Sequence, residues 1–128
     1  MVVDSSVVLE VLLRTPRAAG IEARLGGELW LHAPHLIDLE LIHVLRRYAA
    51  LGDLDDKRAM KALTAFGDLP ILRYPHHDLL PRVWELRANW TAYDAAYIAL
   101  AEVLDATLLT RDQRLSKSPG HFPRVEVL

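Results

Sequence analysis

Cysteine is absent from the 128 residues of the chain. That excludes disulfides, zinc–thiolate sites, iron–sulfur clusters and a thiol nucleophile. A bound metal would therefore need carboxylates, histidines or backbone oxygens. No apolar run approaches the roughly 18 residues of a membrane span. The first segment, Met1 to Leu13, carries Asp4 and Glu10 and lacks a basic start, which does not fit a signal peptide. The expected location is the cytoplasm, with no membrane association. Lysine is scarce, 3 against 12 arginines, a bias that suits bidentate contacts to phosphate or carboxylate. A strong excess of either charge is also missing, since the net charge is −2. Nucleic-acid binders are usually basic overall or on one face. RNA binding here would need a local patch, or metal ions that invert the charge of an acidic cleft. What is present is an ordinary globular mixture, 52% hydrophobic and 25% charged, at the size of one domain spanning residues 1–128.

Strand-like and helix-like patterns alternate along the chain. Met1–Asp4 reads as a short buried strand and Ser5–Leu13 as an apolar helix stopped by Arg14-Thr15-Pro16. A second helix spans Arg17–Leu25 and ends at Gly26-Gly27, and Glu28–Ala33 alternates as a strand does. Pro34 is expected to open a long helix to about Leu51, with Gly52 just past its end. Asp55–Phe66 is amphipathic, and Ile71–Tyr74 is a short strand. Asp78–Ala88 is expected to be a helix that tolerates Pro81 in its first turn. Tyr93–Leu104 is apolar nearly all round and should be buried. Thr107–Thr110 and Val125–Leu128 are the last strands, the latter at an edge. This alternation implies an α/β fold with a parallel sheet covered on both faces. In such sheets ligands bind beyond the carboxyl ends of the strands.

Of four candidate acids, two fall where that rule points and two lie on helices. Asp4 ends the first strand, and Asp112 follows the strand Thr107–Thr110 by two residues. Asp94 lies in the first turn of the late buried helix. Glu40 sits at the margin of the apolar stripe of its helix, between Leu36 and Val44. Each has a purely structural reading. Asp4 suits a helix N-cap, Asp94 a capping box with Thr91, Asp112 a cap over Arg114-Leu115, and Glu40 a pair with an arginine. Taken together, carboxylates gathered at one sheet edge repel one another. A hard divalent cation relieves that repulsion, and Mg²⁺ takes few protein carboxylates, waters and a substrate phosphate. Such a site supports metal-assisted hydrolysis.

Val2-Val3-Asp4-Ser5-Ser6, Glu40 in the third helix, Thr91-x-Tyr93-Asp94-Ala95-Ala96-Tyr97, and Thr110-Arg111-Asp112 together resemble the motifs of PIN-domain nucleases, above all the VapC toxins of VapBC toxin–antitoxin systems. The likeness covers essentially the whole chain. It implies a PIN-like three-layer α/β/α sandwich with a mostly parallel central sheet. It implies an endoribonuclease dependent on Mg²⁺ or Mn²⁺, a homodimer, and neutralisation by a cognate VapB-like antitoxin. Carried over by residue, Asp4, Glu40, Asp94 and Asp112 become the catalytic acids. Asp4, Asp94 and Asp112 are the metal ligands, while Glu40 binds through water or orients the attacking water. Ser5, Ser6, Thr91 and Thr110 become the groups that orient these acids. Where some relatives carry a further acid this chain has Arg114, so one-metal and two-metal sites both stay open.

Arg111 and Arg114 flank Asp112 and are candidates for RNA phosphates, or else solvated surface charges. Trp90 is a candidate for base stacking, against a packing role for its ring. Trp84 reads as core or dimer surface. His32-x-x-His35 and Glu40-x-x-His43 are weak metal signals, because a bundle site would need a paired copy. Two other functions compete. One is a phosphotransfer domain with Asp4 as nucleophile, disfavoured because Ser6 stands where a second acid is wanted. The other is a non-catalytic RNA-binding or scaffold protein of the same fold, disfavoured by the intact set of four acids.

Overall fold

The computed structural model describes residues 1–117 and 123–128. Five strands form one sheet: β1 (Val2–Val3), β2 (Leu31–Pro34), β3 (Ile71–Tyr74), β4 (Leu108–Thr110) and β5 (Val125–Val127). Their spatial order is β3-β2-β1-β4-β5, and every neighbouring pair is parallel. Among the described residues the α-helices are α1 (Ser5–Leu12), α2 (Ala18–Leu25), α3 (Leu36–Ala50), α4 (Asp56–Asp68), α5 (Leu80–Glu85) and α6 (Ala92–Val103).

Connectivity assigns the helices to faces. From β1 the chain steps outward to β2 and then β3, so right-handed crossovers put α1 to α4 on one face. It then reverses to reach β4 on the other side of β1, which puts α5 and α6 on the opposite face. The packing agrees: α1 rests on α2, α3 and α4, whereas α6 rests on α5, β1, β2 and β4. The result is the expected α/β/α sandwich, with a sheet that is wholly parallel. The direction of winding switches between β1 and β4, and the crevice beyond their carboxyl ends is the place for a ligand.

The core lies between these layers. Val2, Val3, Ile98, Leu108 and Leu109 are inaccessible to solvent, and every residue of α6 from Ala95 to Ala101 is buried. Small side chains in that run let α6 lie close on the sheet. Truncating Leu109 to alanine would cost about 2–5 kcal/mol through reduced burial and a cavity. Gly52 has φ of +80° just past α3, a left-handed position that suits glycine as a helix stop.

Several boundaries differ from expectation. Pro34 closes β2 instead of opening α3, because Pro34 pairs in register with Tyr74 and His35 N–H then donates to Tyr74 O at 2.9 Å. Residues 28–30 are not strand: the Glu28 amide returns to Leu25 O, and Leu29 and Trp30 face solvent. The expected helix Asp78–Ala88 is divided into a 3₁₀ turn His77–Leu79, α5, and a second 3₁₀ turn Leu86–Ala88. Pro81 sits in the first turn of α5, where its missing N–H costs nothing.

Candidate active site

Asp4 leaves β1 and caps α1. Its carboxylate accepts the backbone N–H groups of Ser6 at 2.9 Å and Val7 at 3.2 Å, and the hydroxyl of Ser6. From across the crevice the Thr110 hydroxyl donates to its other oxygen. Both hydroxyls serve twice. Thr110 Oγ1 also accepts the Asp112 amide at 3.0 Å, and Ser6 Oγ accepts the Arg111 amide at 3.1 Å. The segment after β4 is thereby fastened to the end of β1 at the switch point. Asp4 is buried, and burial pushes its carboxyl above the usual range against the opposing pull of these donors.

Glu40 reaches the same edge from the second turn of α3. The Tyr97 hydroxyl, on α6, donates to it at 2.6 Å, so a single hydrogen bond ties the two helical layers together above the sheet. Burial raises the Glu40 carboxyl, and the negative charges of Asp4 and Asp94 raise it further; the Tyr97 and Ser5 hydroxyls oppose this. Burial and the neighbouring Glu40 charge together push the Tyr97 phenol far up, so it remains a donor. Tyr97 was legible as part of the motif that opens α6, without a role of its own. Its position three after Asp94 on one helix face was the available signal that both serve the same place.

The other two acids are turned aside. Asp94 forms the capping box with Thr91: the Thr91 hydroxyl donates to its carboxylate at 2.9 Å, and its own amide donates back at 3.1 Å. Asp112 is clasped by the Arg114 guanidinium through both oxygens and also accepts the Arg114 amide at 2.9 Å. That pairing holds the Asp112 carboxyl below its usual range. Arg114 is 75% exposed and also feels the charge of Asp94. Among the described residues, no three Asp, Glu or His side chains stand together as an ion-binding group in the conformation seen. In donor chemistry the set still fits a hard divalent cation. The donors are all oxygen, the charges of Asp4 and Asp94 act on Glu40, and among the described residues no arginine clasps any of these three.

Both arginines expected to contact RNA are already paired, Arg114 at an exposed position with Asp112 and Arg111 at a half-buried one. The Arg111 guanidinium pairs with Glu10, a buried acid on α1 that also takes the Thr15 hydroxyl. Glu10, an acid inside an apolar helix, was the sign of such a partner. Trp90 packs against the core, with its indole N–H buried, which favours the packing role over base stacking. A depression of about 520 Å³ opens beside Glu40, lined by Leu36, Leu39, His43 and Tyr93 among others.

The family model described as PIN domain matches residues 1–120. The chain belongs to the PIN-domain family. Ribonuclease VapC12 of Mycobacterium tuberculosis is 36% identical over 128 residues, covering 100% of this chain and 98% of that relative. VapC ribonuclease Mb0985 of Mycobacterium bovis is 43% identical over 116 residues, 91% of this chain and 88% of the relative. Within the PIN-domain family the chain therefore falls with the VapC proteins. Among solved structures, VapBC2 from Rickettsia felis, bound to a DNA fragment from their promoter, superposes with a TM-score of 0.72 at 12% identity. It covers 98% of this chain and 96% of that one, and it carries the fold alone. PAE2754 from Pyrobaculum aerophilum superposes with a TM-score of 0.68 at 25% identity, over 93% of this chain and 84% of the other. The PIN domain of this chain thus has the architecture that its motifs implied.

Proposed function

We propose that this VapC-type PIN domain is an endoribonuclease and the toxin half of a toxin–antitoxin pair. The observation that carries the reading is the Thr110 hydroxyl that joins the Asp4 carboxylate to the Asp112 amide at the switch-point crevice, with Asp4 and Asp94 close enough to Glu40 for their charges to act on it. The names of its full-length relatives support the same reading.

Asp4, Asp94 and Asp112 would hold Mg²⁺ or Mn²⁺, which when bound supplies charge neutralisation at the scissile phosphate and an activated water. The residues of the chain do the positioning. Asp4 is immobilised by Ser6 and Thr110, so its carboxylate is preorganised. Glu40, with its proton affinity raised by burial and like charge, is suited to accept a proton from the attacking water. Tyr97 keeps that carboxylate aimed at the crevice. Arg114 leaves Asp112 for an RNA phosphate, an exchange that frees an acid as substrate arrives. Asp94 rotates from its cap to complete the set.

An antitoxin of the VapB type is the protein partner in this reading. Its segment would cover the apolar depression beside Glu40, where Leu39 and Tyr93 are exposed. Exposed Leu80 and Trp84 on α5 are the surface for a homodimer contact. Among the described residues no helix is long and apolar enough to cross a membrane, and we assign the protein to the cytoplasm.

The test is to sequence the 5′ ends of RNA incubated with the purified protein in Mg²⁺ and in EDTA. Discrete new ends that depend on the metal, and vanish in Asp4→Asn, are the expected result. Unchanged RNA under every divalent metal tried would leave the non-catalytic alternative in its place.

A further inference from the structure

Three depressions on the α1 side of the molecule adjoin one another. The one beside Glu40 shares Ser5 and Val44 with a second, of about 200 Å³, between α1 and α3. The second shares Leu13 with a third, of about 470 Å³, between the end of α1 and α4. Together they follow α1 from the acids to its far end, about 12 Å for eight residues.

The middle and distal depressions carry cations in their walls, in a chain of net charge −2, while the one beside Glu40 carries no arginine or lysine. Arg47 borders the middle depression, and Arg14, Arg58 and Lys61 border the distal one over an apolar floor that includes Leu12 and Ala62. Among the described residues none of these four cations is in an ion pair. Asp55 accepts the Arg58 backbone amide as the N-cap of α4 and is not clasped by the Arg58 guanidinium. Glu10, the acid in the middle depression, is neutralised by Arg111. Elsewhere Arg24, Arg73 and Arg82 each hold an acid, whereas Arg17, Arg46 and Arg87 form no ion pair among the described residues and stand apart from these depressions.

We propose that this groove is the path of the RNA strand away from the cleavage point, with Arg58 and Lys61 gripping phosphates several nucleotides from the acids. The inference rests on the ribonuclease reading and extends it to the route of the substrate. Phosphate contacts of this kind position a strand without reading its sequence. The apolar floor offers a surface for sugars and bases between them. An acidic protein segment is the competing occupant, and a line of single cations starting at a phosphate-cleaving site favours RNA.

The experiment compares Arg58→Gln/Lys61→Gln with a control pair, Arg46→Gln/Lys57→Gln, which removes two exposed charges that do not line the groove. Binding of a fluorescein-labelled single-stranded RNA is read by anisotropy in EDTA across a salt series. Cleavage of the same RNA is read in Mg²⁺. The groove pair is expected to weaken binding on the order of tenfold and to flatten the log–log salt slope by about 1.4, or about 0.7 for each phosphate that is no longer neutralised. The control pair should produce the smaller, non-specific change. Equal effects of the two pairs, or no effect of the groove pair, would overturn the proposal. So would an oligoglutamate peptide that displaces the RNA as well as unlabelled RNA does. Binding with this pattern but no cleavage in any divalent metal would support the groove while sinking the ribonuclease reading, so the two failures are distinguishable.

Discussion

The four acids divide into two pairs that the same sheet edge treats differently. Asp4 and Glu40 are sunk into the crevice, held by neutral hydroxyls from Ser6, Thr110 and Tyr97, and burial pushes both carboxyls up. Asp94 and Asp112 lie at the rim, where one closes a capping box and the other is clasped by Arg114. Neutral donors fix a carboxylate without cancelling its charge, whereas an arginine cancels it. The inner pair therefore keeps its charge uncompensated; of the rim pair only Asp112 is neutralised, by Arg114, while Asp94 meets the neutral Thr91 hydroxyl. In the proposed nuclease the inner pair would be the fixed half of a cation site and the rim pair the half that turns in to complete it.

Asp4→Asn is the largest intervention, because it removes charge from the fixed half. Asparagine remains a good N-cap, so circular dichroism and Tm should change little. RNA cleavage should fall by about a thousandfold, comparable to the loss of a preorganised electrostatic group. Full activity in a folded variant would contradict the division outright.

Thr110→Val and Tyr97→Phe test the neutral donors. Each should reduce cleavage about 10–100-fold, as loss of a group supporting a metal ligand or catalytic acid does. Tyr97→Phe should also shift the acidic limb of the pH–rate profile upward, because it removes the hydrogen bond that opposes the raised Glu40 carboxyl. A uniform loss across pH would mean that Tyr97 serves packing alone.

The raised carboxyls give a pH signature to stability. A folded acid whose proton affinity exceeds its unfolded value favours folding while protonated. That advantage is present below the ordinary carboxylate range, near pH 4, and turns into a penalty as pH rises through the raised value. In EDTA, Glu40→Gln should therefore melt a few degrees above the wild type at neutral pH, and the gap should close on acidification. Mn²⁺ should raise the wild-type Tm at neutral pH and do so less as the acids protonate. A variant less stable than the wild type at every pH would show that Glu40 is an ordinary boundary residue.

Arg114→Gln is the mildest change and addresses the rim. The exposed guanidinium contributes little to stability, so Tm should hold. Asp112, normally held below its usual range by Arg114, should regain ordinary proton affinity. Calorimetry should show Mn²⁺ binding several-fold tighter once the competing cation is gone. Weaker binding would mean that Arg114 orients Asp112 rather than blocking it.

Much of this protein was legible in the chain because the signals are local. Alternating strand and helix patterns, the caps Asp4 and Thr91, and the glycine stop at Gly52 each depend on a few neighbouring residues, and they gave the α/β class and the edge on which the acids lie. Pro34 and residues 28–30 misled because pairing with β3, not local preference, decides where β2 begins and ends. Tertiary structure alone decided which acids are buried and which are paired. Thr110 meets Asp4 from 106 positions away and Tyr97 meets Glu40 from 57. Proton affinity follows the dielectric and the charges within a few ångströms, and those neighbours are set by how the sheet reverses between β1 and β4 rather than by the order of residues along the chain.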